Sequence, residues 1–453
     1  MSASRSYYSH PRSLFGPLVL VTIGVLFLLR NMGVIHYQTI GLWFARYWPW
    51  LLIIWGLTKL VEYFWARRVG QPAPGIGAGG VVLLIFLILC GMGASAGRNV
   101  NWGDIGWDDD FGGGVFGTRY EFTENISQPV QPGSMVKVLG LRGNITVTPS
   151  ADNQAHAFIH KYTRTGSQDE ANKLNESTHP KFELQGDTLV LEMVSGNFDH
   201  GRFDLDLQVP RSSALNVTTQ RGDIRVSQRD KDVDLEATRG DIFVEETKGN
   251  ASLRLRHGDL TVRNVAGNVN VDGTVGDSNV SDIGGTLTFS GSYTGDIQLS
   301  HIAKEVRFSS VRTSMQLAKL EGDLSMDRGD FRGNAITGPL RIDTQAKDID
   351  IKDVSGDVHI DDTRGSIEVH TTMPLGKVEI SNRAGEINVG LPEKAIFEVD
   401  AQSDNGDIMT DFPLNVNNAG RNATASGKVG NGGPSVRLKT NRGTIQIRKN
   451  SSQ

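Results

Sequence analysis

The chain has one cysteine, Cys90, in 453 residues. That excludes an intramolecular disulfide and any cysteine-based zinc site. Its 15 prolines form no rich tract, and its 53 glycines follow no collagen triplet. No phosphate-binding loop or paired His/Cys motif occurs. The net charge of −5 is unevenly placed. Residues 1–68 carry seven Lys/Arg and one Glu, a balance of +6, which leaves −11 for the remainder. A basic head on an acidic body argues against a nucleic-acid partner for the body.

What the chain does have is a repeat. Gly240, Gly249, Gly258, Gly267, Gly276 and Gly285 are nine residues apart. The phase reaches back to Gly222 and Lys231, resumes after one extra residue at Gly295, and is disturbed around Gly329. It returns at Gly338, Lys347, Gly356 and Gly365. Each unit reads as a turn glycine, an Asp or Asn, then two apolar residues two apart. Examples are Ile224/Val226, Val233/Leu235, Ile242/Val244, Leu260/Val262, Val306/Phe308, Met315/Leu317, Leu324/Met326 and Ile387/Val389. Spacing of two puts both on one face of a short strand, and glycine supplies the corner.

Alternate units differ. Asp223, Asp241, Asp259, Asp277 and Asp296 follow every second corner, whereas Asp232, Asn250, Asn268, Thr286 and Glu305 hold the equivalent place between them. The coil is therefore 18 residues with two strands, and stacked coils build a shared core that no single strand can bury. The expected fold is an all-β, repetitive β-solenoid, preceded by an α-helical transmembrane region.

Three apolar stretches, at 14–29, 47–64 and 76–96, read as membrane helices. Arg5, Arg12, Arg67 and Arg68 lie on one side of them and Arg30 and Arg46 on the other, which predicts a cytoplasmic N-terminus. Residues from about 99 onward are then extracytoplasmic, on the bacterial cytoplasmic (inner) membrane. The expected organisation is a membrane region at 1–97, a flexible Gly/Asp-rich linker at 98–133, a first β part with one short helix at 134–218, and repeats with a C-terminal cap at 219–450.

Residues 12–65 carry Gly16-Pro17-Leu18, Leu28-Leu29-Arg30-Asn31-Met32-Gly33 and Trp48-Pro49-Trp50. In this they resemble the paired-helix membrane module of the Lia-type bacterial envelope-stress proteins. The body resembles the bacterial adhesin-like β-strand-repeat domain, related to the toast-rack domains, over about residues 134–448. The residues that carry this are Gly186-Asp187-Thr188-Leu189, Val209-Pro210-Arg211-Ser212, Gln220-Arg221-Gly222-Asp223-Ile224 and the closing Asn441-Arg442-Gly443-Thr444-Ile445. The resemblance implies an extracytoplasmic β-solenoid and carries over no catalytic residues.

Three Arg-Gly-Asp triplets, at 221–223, 239–241 and 328–330, fit corner chemistry better than a ligand motif, because Gly-Asp is ordinary at turns. The column Asp223, Asp241, Asp259, Asp277, Asp296 stacks like charges about 4.8 Å apart. We expect each carboxylate to bond the amides of its own turn, helped by Arg221 or Arg239. A calcium roll of nonapeptides needs three glycines per unit and one apolar residue, a pattern absent here. His156 and His160 share a strand face but lack the third ligand of a catalytic zinc site. The reading is a non-catalytic adhesion or interaction module of the cell envelope, with no cofactor, no metal, no nucleic-acid partner, and an unidentified envelope protein or glycan as partner. An envelope-stress role is compatible with it. The rival readings are a β-helix polysaccharide-active enzyme using the Asp column, and a calcium-binding structural roll.

Overall fold

The computed structural model describes Trp50 and Ile53, both helical, and residues 118–131, 133–165, 167–195 and 201–450. Apart from those two residues, the three expected membrane spans lie outside the described residues, as does the stretch 98–117. Among the described residues no helix is long and apolar enough to cross a membrane. The chain divides into two compact units, Met1–Gly117 and Thr118–Gln453. The second is described below.

Its chain enters through β1 (Thr118–Pro129), β2 (Met135–Arg142), β3 (Ile145–Pro149) and β4 (Gln154–Thr165). Helix α1 (Gln168–Ser177) follows. The Ser167 hydroxyl caps it by accepting the Glu170 amide at 3.3 Å, and Asp169 and Glu170 sit at its positive end. Strands β5 (Thr178–Gln185), β6 (Thr188–Ser195) and β7 (Arg202–Val209) complete this part. Strand β1 corrects the expected linker, which was to run to residue 133. It pairs antiparallel with β4 from Thr118↔Thr165 to Pro129↔Gln154. Tyr120, Phe122 and Ile126 share its half-buried face, an alternation that the Gly/Asp-rich stretch before it obscures.

The repeat runs through β8 (Ala214–Arg221), β9 (Ile224–Arg229), β10 (Val233–Ala237), β11 (Ile242–Thr247), β12 (Ala251–Leu255), β13 (Leu260–Val265), β14 (Val269–Val275), β15 (Ser278–Ile283), β16 (Leu287–Tyr293), β17 (Ile297–Ile302) and β18 (Val306–Ser309). Even-numbered strands from β8 to β18 stack in parallel as one sheet, and odd-numbered strands from β9 to β17 as another. Stacked partners are 18 residues apart, as in Val233↔Ala251 and Ile242↔Leu260. The inserted residue makes the step 19 at Ser278↔Ile297. All the apolar pairs named above are buried. Phe243, between Ile242 and Val244, faces out under the Arg225 guanidinium at 4.5 Å.

Each odd strand also bends. Gln228, Glu246, Asn264, Asp282 and His301 all have φ between +50° and +58°. The ladder register skips this residue, passing from Glu245↔Arg263 to Thr247↔Val265. A single left-handed residue flips the strand's parity, so the residue after it turns inward. Arg229, Thr247, Val265, Ile283 and Ile302 are accordingly buried. Each odd unit thus buries three positions, where the sequence pattern indicated two.

Beyond β18 the chain reverses. Strands β19 (Thr313–Leu317) and β20 (Lys319–Met326) run antiparallel to β18 and β17 respectively. A second hairpin then leads into β21 (Asp330–Thr337), antiparallel to β20, and β22 (Leu340–Thr344) lies antiparallel to β19. The original direction is thereby restored, and β23 (Asp348–Arg364), β24 (Ile367–Ala384) and β25 (Ile387–Pro392) stack in parallel. The pairs Met315/Leu317 and Leu324/Met326 remain buried although their strands run backwards. Alternation selects a strand's face and says nothing of its direction.

The C-terminal part comprises β26 (Phe397–Ser403), β27 (Ile408–Thr410), β28 (Asn415–Ala419), β29 (Asn422–Val429), β30 (Ser435–Thr440) and β31 (Ile445–Asn450). Its order in space differs from its order in the chain. Strands β30 and β31 lie between β24/β25 and β26/β27. The N-terminal end does the same, with β2 between β6 and β8, and β3 between β7 and β9. Residues 134–218 are therefore no separate part: β2, β3, β6 and β7 are coils of the same stack. One core cluster runs from Val130 to Ile447.

Candidate functional site

The aspartate column forms a ladder from coil to coil. The Asp241 amide donates to Asp223 Oδ1 at 3.1 Å, Asp259 to Asp241 at 2.8 Å, Asp277 to Asp259 at 2.9 Å and Asp296 to Asp277 at 2.9 Å. Asn144 extends it: its Oδ1 accepts the Asp223 amide at 3.0 Å, and its own amide donates to Asp204 Oδ1 at 2.8 Å. This corrects the expectation that each carboxylate bonds within its own coil. The helping arginine also differs, since Arg225, two residues along the strand, lies 3.1 Å from Asp223. Side chains at i and i+2 share a strand face, whereas Arg221 lies across the corner.

Glycine precedes each rung because the corners are in contact. Gly240 has φ +129°, and a Cβ on it would lie 2.2 Å from the Gly222 carbonyl oxygen. The opposite corners carry a second ladder: Asn250 N–H to Asp232 Oδ1 at 2.7 Å, Asn268 to Asn250 at 2.9 Å and Thr286 to Asn268 at 2.9 Å. The rung needs an oxygen acceptor and no charge, for Asn does what Asp does. Charge is a cost here. Burial raises the Asp241 carboxyl above its usual range, and Asp223 and Asp259 push it the same way against the Asp259 amide, which lowers it.

The first two Arg-Gly-Asp triplets are these corners. The third is the tip of the β20–β21 hairpin, where Asp327 Oδ1 accepts the amides of Gly329 at 2.7 Å and Asp330 at 2.6 Å. His156 is engaged by Ser127 at 2.8 Å and by Asp152 at 3.1 Å.

The reversed coil opens a cavity of about 300 Å³. Residues 310–312, the β18–β19 hairpin, stand where another corner would stack. Ser310, Arg312, Thr313, Asp343, Asp361 and Asp362 are among its lining. On the outer face beside it, Asp343, His359 and Asp361 can each bring a polar atom within 4.8 Å of the others.

A family match covers residues 144–448, nearly the whole two-sheet stack, and its description is Toastrack DUF4097. The chain belongs to this family. Residues 14–60 match the LiaI-LiaF-like transmembrane region, so the Toastrack domain here follows a membrane-associated segment. No curated protein matches the chain. Among solved structures, one of a "putative cell adhesion protein" from Clostridium sporogenes is 11% identical, with 73% of this chain and 100% of that chain covered and a TM-score of 0.16. A "putative adhesin" from Parabacteroides distasonis is 10% identical, with 73% and 97% covered and a TM-score of 0.25. Another from Bacteroides fragilis is 13% identical, with 73% and 97% covered and a TM-score of 0.19. The family assignment rests on the sequence match alone.

Within the Toastrack domain the structure brings the five column aspartates into one file and gives each of the first four a backbone donor. The acidic cluster at the cavity was not singled out from sequence. A signal existed: Asp343 and Asp361 are 18 residues apart, and His359 precedes Asp361 by two. The same arithmetic that aligned the corner aspartates places these three on one outer face.

Proposed function

We propose that the chain is a membrane-anchored, extracytoplasmic and non-catalytic adhesion or interaction module of the bacterial envelope, carried by a stiff β-solenoid on helices in the inner membrane. The ladder is the observation that carries this reading. A polysaccharide-active enzyme would need the column carboxylates free in a groove to give and take protons. Here Asp223, Asp241, Asp259 and Asp277 each accept a main-chain amide of the next coil. The same bonds oppose the calcium-roll reading, since they use oxygens that a cation would require. The Lia-type resemblance of the membrane segment supports an envelope-stress setting, and the basic flank at Arg5 and Arg12 supports the orientation.

Two measurements test it. Alkaline phosphatase fused after Gln453 should be active in bacteria; a silent fusion with an active cytoplasmic reporter at the same point rejects the topology. Full-length protein in nanodiscs should bind isolated envelope material and release no soluble sugar from it. Sugar release that Asp241→Asn abolishes would make the chain an enzyme instead.

A further inference from the structure

We propose that Lys161 and Asn175 join covalently, by an amide bond from Lys161 Nζ to Asn175 Cγ that forms with release of ammonia and with Glu124 as base and acid. This does not depend on the adhesion reading. The inward positions of β4 are Ala155, Ala157, Ile159, Lys161, Thr163 and Thr165, so alternation turns one lysine into the interior. Lys161 is 1% exposed. Its Nζ meets three oxygens: Glu124 Oε2 at 2.5 Å, the Thr178 carbonyl at 2.7 Å and Asn175 Oδ1 at 3.1 Å. They come from three elements, Glu124 from β1, Asn175 from the last turn of α1 and Thr178 from the start of β5. The register sets Glu124 diagonally to the lysine on the same face, since Phe122 pairs Lys161 and Glu124 pairs Ile159. The Thr178 amide donates to the Asn175 carbonyl, which fixes the end of the helix and holds the carboxamide beside the amine.

A buried ammonium needs oxygen partners, and a carboxylate with a main-chain carbonyl would satisfy it. The carboxamide adds something different, an electrophilic carbon beside a nucleophile. Cγ is one carbonyl bond beyond Oδ1, so it lies at most about 4.3 Å from Nζ. The Cβ–Cγ torsion of Asn is broad, and turning it presents the flat face of the amide to the amine. Fixing the two groups together makes the step intramolecular, the main help a slow acyl transfer can receive. Glu124 then moves the protons. It takes one proton from the Lys161 ammonium, and the freed lone pair on Nζ attacks Cγ while the carbonyl pair moves onto Oδ1. Glu124 returns that proton to Nδ2 and takes a second one from Nζ. The oxygen pair re-forms the carbonyl, the Cγ–Nδ2 bond breaks, and the ammonia removes the second proton as ammonium. Glu124 ends as the carboxylate it began, and no co-reactant is consumed. Glu124 and Asn175 are half-buried, so the ammonium has a way out. The bond would tie α1 to β4 at the point where α1 carries the chain across to β5.

Mass spectrometry tests this on the full-length protein purified in detergent. The intact mass should be one ammonia below the mass of the sequence. A tryptic digest should contain a branched peptide in which Lys161 is uncleaved and joined to Asn175. Mapping the branch matters, because an asparagine that cyclises onto its own main chain also loses ammonia. Lys161→Arg, Asn175→Ala and Glu124→Gln should each restore the full mass. Glu124→Gln keeps the size of the side chain and removes its acid–base capacity, so this variant should fold, with the parent's circular dichroism spectrum, and remain unjoined. The measurement on the parent decides the matter whether or not a variant folds. The proposal is overturned if the folded parent carries the full sequence mass, if the lost ammonia maps to a residue other than Asn175, or if folded Glu124→Gln forms the branched peptide as the parent does.

Discussion

At Asp241 the backbone needs an acceptor, and the charge that comes with it is a burden. The side chain receives the Asp259 amide at 2.8 Å while burial and two flanking carboxylates hold its own pKa up. A folded-state pKa above the unfolded value means the folded chain binds the extra proton. The contribution of this group to stability therefore falls as pH rises from the unfolded carboxylate pKa through the raised one. Asp241→Asn keeps the oxygen and removes the charge. We expect it to change stability at neutral pH by less than about 1 kcal/mol, with stabilisation as the favoured sign, read from urea melts. A loss of several kcal/mol would show that the carboxylate itself is needed. Gly240 is the opposite case. Its φ of +129° and its contact with the Gly222 carbonyl leave no room for a methyl group. Gly240→Ala should cost at least about 1–3 kcal/mol from the backbone alone, by the same melts.

Single strands are specified by alternation and then tied in place by a few polar contacts. In β11, Ile242 and Val244 are buried and Phe243 is half-buried on the outside. Ile242→Asp should cost about 3–5 kcal/mol, because it leaves a buried charge without a partner. Phe243→Asp should be tolerated by comparison, and the reverse ranking in denaturant melts would contradict the register. The end of β31 depends on a titratable clamp. His370 Nδ1 bonds Asn450 Oδ1 at 2.9 Å and Nε2 bonds Glu368 at 3.0 Å, so the ring donates from both nitrogens. Burial lowers its pKa, but the bonds to Glu368 and Asn450 outweigh this and raise it overall. The clamp's contribution is then complete below the unfolded histidine pKa of about 6.5 and is lost as pH rises through the raised value. The melting-temperature gap between the parent and His370→Gln should shrink between about pH 6 and pH 9. A gap independent of pH would mean that the imidazole packs there without its charge.

The whole stack holds its last two strands inside it. In an ordinary repeat array each coil touches only its neighbours, and trimming the last one costs one interface. Here β30 and β31 are inserted between β24/β25 and β26/β27. Deleting residues 435–453 would therefore empty an internal place, with Val436, Leu438, Ile445 and Ile447 all removed from the core. We expect that deletion to abolish cooperative melting and expose apolar surface to a reporter dye. A truncated protein that still melts sharply would contradict the interleaved topology. The arrangement also leaves the capping hairpin β28–β29 and strand β27 as outer strands at this end, in place of the chain terminus.

What the sequence determined by itself is whatever a local period can encode. The nine-residue spacing of glycines placed the corners, and the i, i+2 apolar pairs placed the buried face, because both depend only on neighbours along the chain. The 18-residue alternation placed Asp223, Asp241, Asp259, Asp277 and Asp296 in one file. Other features needed the tertiary structure. The amide that each of the first four aspartates accepts is 18 or 19 residues away, so the bond exists only once the coils are stacked. The left-handed bends at Gln228, Glu246, Asn264, Asp282 and His301 carry five different polar side chains and no glycine to mark them. The reversal at β19 and β20 is silent in the pattern, since Met315/Leu317 reads the same in either direction. The order of the end coils was equally hidden: β2 and β30 have ordinary strand sequences, and only pairing with strands on both sides places them inside the stack. The cavity that Asp343, Asp361 and Asp362 line follows from that reversal, which is why the cavity was not seen along the chain.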